Sequence, residues 1–317
     1  MNSIPPRPIP RRIVCAGEAM VELRPHGAGW HVGFGGDTLN VALHLARLFH
    51  RVSYLTALGN DPFAVRMCAD WTREGIDLSL VLTHPVRTTG LYAIETDTRG
   101  ERHFSYWRGE SAARELFTCE GIEEAEDEAA RADLLFFSLI SLAILKGNGR
   151  ERLLRLAERV RANGGKVAFD SNYRPRLWTS RDEAREWQAR AAALADIGLP
   201  GIDDQRALGV GDDPFAVNEH WRELGCVEVV VKLGSEGCLL PDGSVVQPPS
   251  RLMPSDTSGA GDAFDAGYLA ARIRGASAED SAMAGQGLAG WTVMHRGAIP
   301  PLGEASPYGA IASLVPE

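Results

Sequence analysis

The sequence predicts an α/β protein: a central, mostly parallel sheet with helices on both faces, plus a small antiparallel β lid. Three observations predict it. Short β-rich runs alternate with longer helical runs along most of the 317 residues, the pattern of parallel strands joined by crossover helices. Two segments break that alternation, a glycine-rich one around 18–36 and a pair of alternating strands between Leu91 and Arg108. The length suits one large domain, or one domain with a small appendage.

Arg12 to Gly17 (RIVCAG) reads as a buried strand. Asp37 to Phe49 is apolar nearly all round and predicts a buried helix. Val52 to Leu58 is a second strand, and Asp61 to Glu74 a second helix opened by Asp-Pro. Leu91 to Glu95 and Arg102 to Arg108 flank a polar turn at 96–101, a hairpin. Strand-like apolar runs follow at Ala132 to Leu142, Lys166 to Asp170, Ala195 to Leu199 and Glu228 to Leu233. Helical segments lie near 150–163, 181–194 and 213–224. One domain is expected at 12–310, with lid segments inserted at about 18–36 and 87–110. Residues 1–11 lack an apolar h-region and read as a flexible tail, not a signal peptide.

Apolar residues are 44% and charged residues 24%, values of a globular chain that exclude disordered and fibrous classes. The net charge of −9 argues against nucleic acid as a partner, since phosphate backbones need a basic footprint. Small anions stay open, because one or two arginines can hold them. Five cysteines at 15, 68, 119, 226 and 238 form no CxxC pair, which fits a reduced, cytoplasmic setting without structural zinc. No apolar run approaches a membrane span of about 18 residues, so no membrane partner is expected.

The chemistry concentrates in Asp256-Thr257-Ser258-Gly259-Ala260-Gly261-Asp262-Ala263-Phe264, just before an apolar helix at Asp265 to Ile273. Small residues at 259–261 let the backbone turn tightly and approach a ligand. Their N–H groups would emerge from a helix N-terminus, which binds phosphates and oxyanions. Asp262 would fall beside them in the first turn. Amides that stabilise a γ-phosphoryl group and a carboxylate that takes an alcohol's proton make a phosphoryl-transfer site. The carboxylate's pKa need not be raised for this, because the proton leaves late. The competing interpretation is a purely structural glycine loop.

That nine-residue string resembles the second signature of the PfkB (ribokinase-like) family of carbohydrate kinases. Gly35-Gly36-Asp37-Thr38-Leu39-Asn40 resembles the family's glycine pair at the sugar site, and Lys232-Leu233-Gly234-Ser235-Glu236-Gly237 its nucleotide turn. Asp170-Ser171-Asn172-Tyr173-Arg174-Pro175, GLYAIETD, DSNYRPRLW and HRGAI are similar to the branch acting on 2-keto-3-deoxygluconate. The resemblance runs from about residue 12 to 300. It implies a ribokinase-like fold, ATP and Mg2+ as cofactors with K+ as an option, and a homodimer formed through the lid.

It also implies site residues. Asp262 is the base, with Gly259, Ala260 and Gly261 as the anion cradle. Asn172, Arg174, Lys232, Gly234, Gly237, Gly259, Gly261 and Gln286 lie at the nucleotide. Gly36, Asn40, Tyr92, Tyr106, Arg108 and Arg174 join Asp262 at the sugar. Two positions depart from the family pattern: Asp204 stands where a Glu often meets magnesium through water, and Gln286 where an Asn often meets adenine. Asp256 is read as ordering the anion loop, either around a monovalent cation or as an ordinary turn Asp. Lys232 could simply end a strand, its backbone mattering more than its amine. Glu18 ends the first strand and receives no role.

The lid selects the substrate. Phe104, Tyr106 and Arg108 share one strand face by period two, while Trp107 points to the other. A sugar acid needs a guanidinium, whose fork matches a carboxylate; a neutral hexose does not. The expected reaction is ATP-dependent phosphorylation of the C6 hydroxyl of 2-keto-3-deoxygluconate. The alternatives are the galactonate epimer, fructose or ribose as acceptor. A Rossmann oxidoreductase lacks its GxGxxG here, a P-loop enzyme its GxxxxGK[ST], and an inactive sugar sensor would not keep Asp262.

Overall fold

The structure is a computed structural model and describes residues 11–96, 102–303 and 305–313. The expected hairpin turn at 97–101 and the tail up to residue 10 lie outside the described residues. The chain begins with β1 (Arg12–Ala16), β2 (Met20–His26), β3 (Gly29–Gly35), α1 (Asp37–Arg47) and β4 (Arg51–Gly59). It continues with α2 (Pro62–Arg73), β5 (Ile76–Asp77), β6 (Val81–His84), β7 (Gly90–Thr96) and β8 (Arg102–Trp107). Then come α3 (Ile122–Ala129), β9 (Leu134–Ser138), α4 (Leu139–Ile144), α5 (Gly149–Ala162) and β10 (Lys166–Asp170). Next are α6 (Arg181–Ala192), β11 (Ile197–Leu199), α7 (Ile202–Leu208), α8 (Pro214–Glu223), β12 (Glu228–Val229) and β13 (Val231–Lys232). The last elements are β14 (Cys238–Leu239), β15 (Val245–Val246), α9 (Ala260–Ile273), α10 (Ala278–Val293) and α11 (Tyr308–Ala312).

Among the described residues the main sheet runs β12-β11-β10-β9-β1-β4-β5, with β6 also on β4, and its pairs are parallel. Strand alternation splits the core in two. Val14, Ala16, Leu135, Phe137, Val167 and Phe169 pack toward α3 to α8. Ile13, Cys15, Leu134, Phe136 and Ala168 pack toward α1, α2, α9, α10 and α11. Both faces are therefore covered, which is why these strands read as unbroken apolar runs.

Four expectations need correction. The apolar run at 132–142 is not one strand: β9 ends at Ser138, whose hydroxyl accepts from Ser141 N–H and starts α4 in a capping box. Strand and helix are both buried there, so hydrophobicity alone hides the boundary. The run at 228–233 also divides. β12 stays in the main sheet, while β13 joins a separate antiparallel sheet, β13-β14-β15. The lid is likewise not wholly antiparallel. Its order is β3-β2-β7-β8, and β2 pairs β7 in parallel. Both strands follow parallel strands out of the same edge of the main sheet, so they leave in one direction. The helix expected to reach Phe49 stops at Arg47, because Phe49 turns left-handed at φ 65°.

Candidate active site

Ligands of open parallel sheets bind beyond the carboxyl ends of the strands. That edge carries Glu18 after β1, Ser138 ending β9, Asp170 ending β10 and the N-termini of α1 and α9. α9 starts at Gly259, whose φ of 69° and approach to Ala298 leave no room for a Cβ. No side chain caps this helix, and Gly261 is exposed. Ala263 N–H reaches Gly259 O at 2.8 Å, so the amides of 261 and 262 precede the first helical bond. Ala260 N–H differs from the expected free donor: it makes a long contact, 3.4 Å, to Thr257 O.

Asp262 is half-buried in the first turn of α9. Its Oδ2 accepts from Asn40 Nδ2 at 2.7 Å. Burial and then the charge of Asp37 push its pKa up to about 7, against the lowering bond from Asn40. That rise comes from burial and from packing against Asp37, and has no local signal in the Asp256 to Phe264 string. Asp37 is itself held by Ser138 Oγ at 2.5 Å and by Asn172 Nδ2 at 2.9 Å. Asn172, expected at the nucleotide, thus turns its amide to the α1 side of the cleft.

Lys232 does more than end a strand. Its Nζ donates to Asp170 Oδ1 at 2.9 Å and to both oxygens of Asp265 at 2.9 and 3.0 Å. Burial alone would lower its pKa; the two carboxylates overcome that and keep the amine charged. Lys232 is also among the charges felt by Asp262.

On the sugar side, Gly36 caps α1 at φ 154°, and a Cβ there would stand 2.3 Å from Glu18 O. Tyr92 and Tyr106 pair across β7 and β8 with rings 5.9 Å apart, and Phe104 stacks on Tyr106. The expected shared face is therefore present. Tyr92 is buried and donates its hydroxyl to Glu22, while Tyr106 is exposed. Arg108 lies 5.9 Å from the Tyr106 ring and donates to Glu18. Trp107 is 61% exposed on the opposite face.

The nucleotide-side residues are more dispersed. Gly234 (φ 61°) and Gly237 (φ 96°) bound the turn after β13. Gln286 is buried and donates Nε2 to Val246 O at 2.6 Å, which holds β15, while its Oε1 has no hydrogen-bond partner. Arg174 is half exposed, donates to Tyr173 O at 2.9 Å and lies 3.6 Å from Asp204. Asp204 accepts from Ser171 Oγ at 2.9 Å, and burial followed by the charge of Asp170 raises its pKa. Asp256 accepts from the N–H groups of Ser258 and Gly297, both at 2.9 Å, and so clips the anion loop to the segment after α10. Among the described residues no group of three or more His, Cys, Asp or Glu could hold a metal by itself.

Sequence reasoning missed Glu18, Glu22, Asp37 and Asp265. Asp37 had a signal, since it follows the glycine pair directly. Glu18 had one too: a carboxylate just past a buried parallel strand.

This fold and site define a class of enzyme, the sugar kinases with an α/β core and a β lid. The chain belongs to the pfkB family of carbohydrate kinases, whose model matches residues 11–305. It is 44% identical over 302 residues to the 2-dehydro-3-deoxygluconokinase of Escherichia coli K12, covering 92% of this chain and 97% of that one. It is 41% identical to the enzyme of that name from Dickeya dadantii, over 94% and 99% of the two chains. A fructokinase from Vibrio cholerae, solved with fructose, ADP and a potassium ion, superposes with a TM-score of 0.78 at 25% identity, covering 92% and 95%.

Proposed function

We propose that the chain transfers the γ-phosphoryl group of ATP to the C6 hydroxyl of 2-keto-3-deoxygluconate (2-dehydro-3-deoxygluconate). The observation that carries this is the placement of Asp262, oriented by Asn40 beside the open amides of α9. A base near pKa 7 suits proton transfer at neutral pH. Asp262 takes the hydroxyl proton as the sugar oxygen bonds to the γ-phosphorus. The bond from that phosphorus to its bridging oxygen breaks, and ADP leaves. The amides of 261 and 262 face the negative charge on the migrating group. The Escherichia coli and Dickeya relatives support the choice of sugar.

Arg108, Tyr106 and Tyr92 line the lid side, and Gly36 and Asn40 the α1 side. Arg108 meets the sugar's carboxylate in this reading. The turn at 234–237 and Arg174 serve the nucleotide. Magnesium bound with ATP would neutralise charge on the phosphates, and Asp204 is the residue that would hold such an ion through water. A monovalent ion beside the loop clipped by Asp256 is part of this reading, and a fructokinase of this fold solved with a potassium ion bound supports it. Trp30 and Trp107 are exposed on one face of the lid, which supports a homodimer closed through that face; sedimentation as a monomer at micromolar concentration would contradict it. The odd set of thiols supports a cytoplasmic setting.

A coupled assay of ADP release across a panel of sugar acids and neutral sugars tests the reading. Turnover with 2-keto-3-deoxygluconate well above fructose and ribose is expected. No ADP with any acceptor would remove the kinase assignment.

A further inference from the structure

We propose that Glu18 is the positioning residue for Arg108: its buried carboxylate aims the guanidinium into the sugar site, and Glu18, Arg108 and Arg114 together leave one positive charge for one sugar-acid carboxylate. The inference rests on the reading that Arg108 meets that carboxylate.

Glu18 is 1% exposed and the Arg108 side chain 11%. Glu18 Oε2 accepts from Arg108 Nη2. Glu18 Oε1 and Arg108 Nε are both buried without a hydrogen-bond partner. A buried ion pair is weak evidence for stability, because apolar residues of similar size do as well or better. One that leaves a donor and an acceptor unspent is weaker still. Its value lies in direction. Arg108 follows β8, where the lid strand ends, on a long flexible arm, and a guanidinium recognises a carboxylate only in a defined geometry. Glu18 fixes one edge of the fork, and the Tyr106 ring lies 5.9 Å from its Cζ.

The location of Glu18 suits this role. Its main-chain oxygen abuts Gly36, and its Oε1 lies 2.8 Å from where a Cβ on Gly90 would stand. One residue thus touches the floor of the sugar site, the start of β7 and the arginine of the lid. The charge count agrees. Arg114 feels the charges of both Glu18 and Arg108, and its Nε is also buried without a partner. The nearby Arg87 and Lys146 are matched by Glu110 and Glu115, and Arg150 by Glu183. Two arginines less one glutamate leave a single positive charge.

The sign of one substitution separates aiming from simple electrostatics. Glu18→Gln frees Arg108 but also raises the local charge. Aiming predicts weaker binding of the acid; charge alone predicts tighter binding. Titration of the nucleotide-free chain with 2-keto-3-deoxygluconate and with its neutral methyl ester gives the comparison. In Glu18→Gln, affinity for the acid should fall about tenfold and for the ester less than about twofold, the scale of a misaligned charge-assisted bond. KM for the acid should rise by the same factor, while kcat falls less than about threefold. In an Arg108→Ala background, Glu18→Gln should change nothing further. Glu18→Asp keeps the charge and shortens the arm; it should also lose affinity for the acid selectively, and it serves should the Gln variant not fold. Arg114→Gln should weaken the acid and spare the ester. Unchanged or tighter acid binding in the Glu18 variants, with Arg108→Ala still selective against the acid, overturns the role of Glu18 alone. Equal losses for acid and ester in Arg108→Ala overturn instead the underlying reading of Arg108.

Discussion

Asn40 and Asp262 are 222 positions apart in the chain, yet the amide of one donates to the carboxylate of the other at 2.7 Å. The bond ties the first turn of α9 to α1 and spends one carboxylate oxygen on orientation. That contact makes the N-termini of two helices a single site, and the predictions begin from it.

Replacing Asp262 by Asn keeps the shape and the contact with Asn40 but removes the base. Turnover should fall by about a thousandfold, within the usual range for losing a general base. Sugar and nucleotide affinities should change little. Stopped-flow ADP release with parallel binding titrations measures both. Near-normal turnover would exclude Asp262 as the base.

The pKa of Asp262, pushed up to about 7, sets a pH profile. The base works when deprotonated, so kcat/KM should rise with pH and level off above about 7. Asn40→Leu removes the bond that lowers this pKa and should move the limb to higher pH. The stability sign is the reverse. The folded carboxyl binds its proton more tightly than the unfolded one, whose pKa is near 3.8. Its contribution to stability therefore declines as pH rises from about 4 to about 7. Asp262→Asn should accordingly raise Tm more at pH 8 than at pH 4. Scanning calorimetry at both values tests this.

Lys232 is the counter-ion of two buried carboxylates. Lys232→Met leaves Asp170 and Asp265 without it and should cost about 3–5 kcal/mol. Adding Asp265→Asn should restore part of the loss. Urea unfolding of the single and double variants gives the values; a single variant as stable as wild type would show the cluster to be unimportant.

The two glycines of the nucleotide turn should respond unequally. Both have positive φ, but a Cβ on Gly234 meets nothing within 4 Å, whereas one on Gly237 would stand 2.0 Å from Val246 O. Gly234→Ala should cost about 1–2 kcal/mol from the left-handed backbone alone. Gly237→Ala should cost more than about 3 kcal/mol, since β15 must move, and should raise KM for ATP. Thermal unfolding and initial rates across ATP concentration measure both effects.

Much of this enzyme was written locally. The alternation of strands and helices determined a parallel sheet covered on both faces. The Asp256 to Phe264 string determined a helix N-terminus with an acid in its first turn. Period two put Tyr106 and Phe104 on one face of the lid. These are short-range properties, fixed by the 3.6 and 2.0 residue repeats of the backbone and by what glycine permits. Tertiary structure alone decided which groups those elements bring together. The tie of Lys232 to Asp170 and Asp265, the grip of Glu18 on Arg108, the bond from Gln286 to Val246 and the place where strand β9 becomes helix α4 all depend on packing between distant segments. A side chain carries no local mark of a partner ninety or two hundred residues away, because that pairing exists only once the apolar faces have been buried.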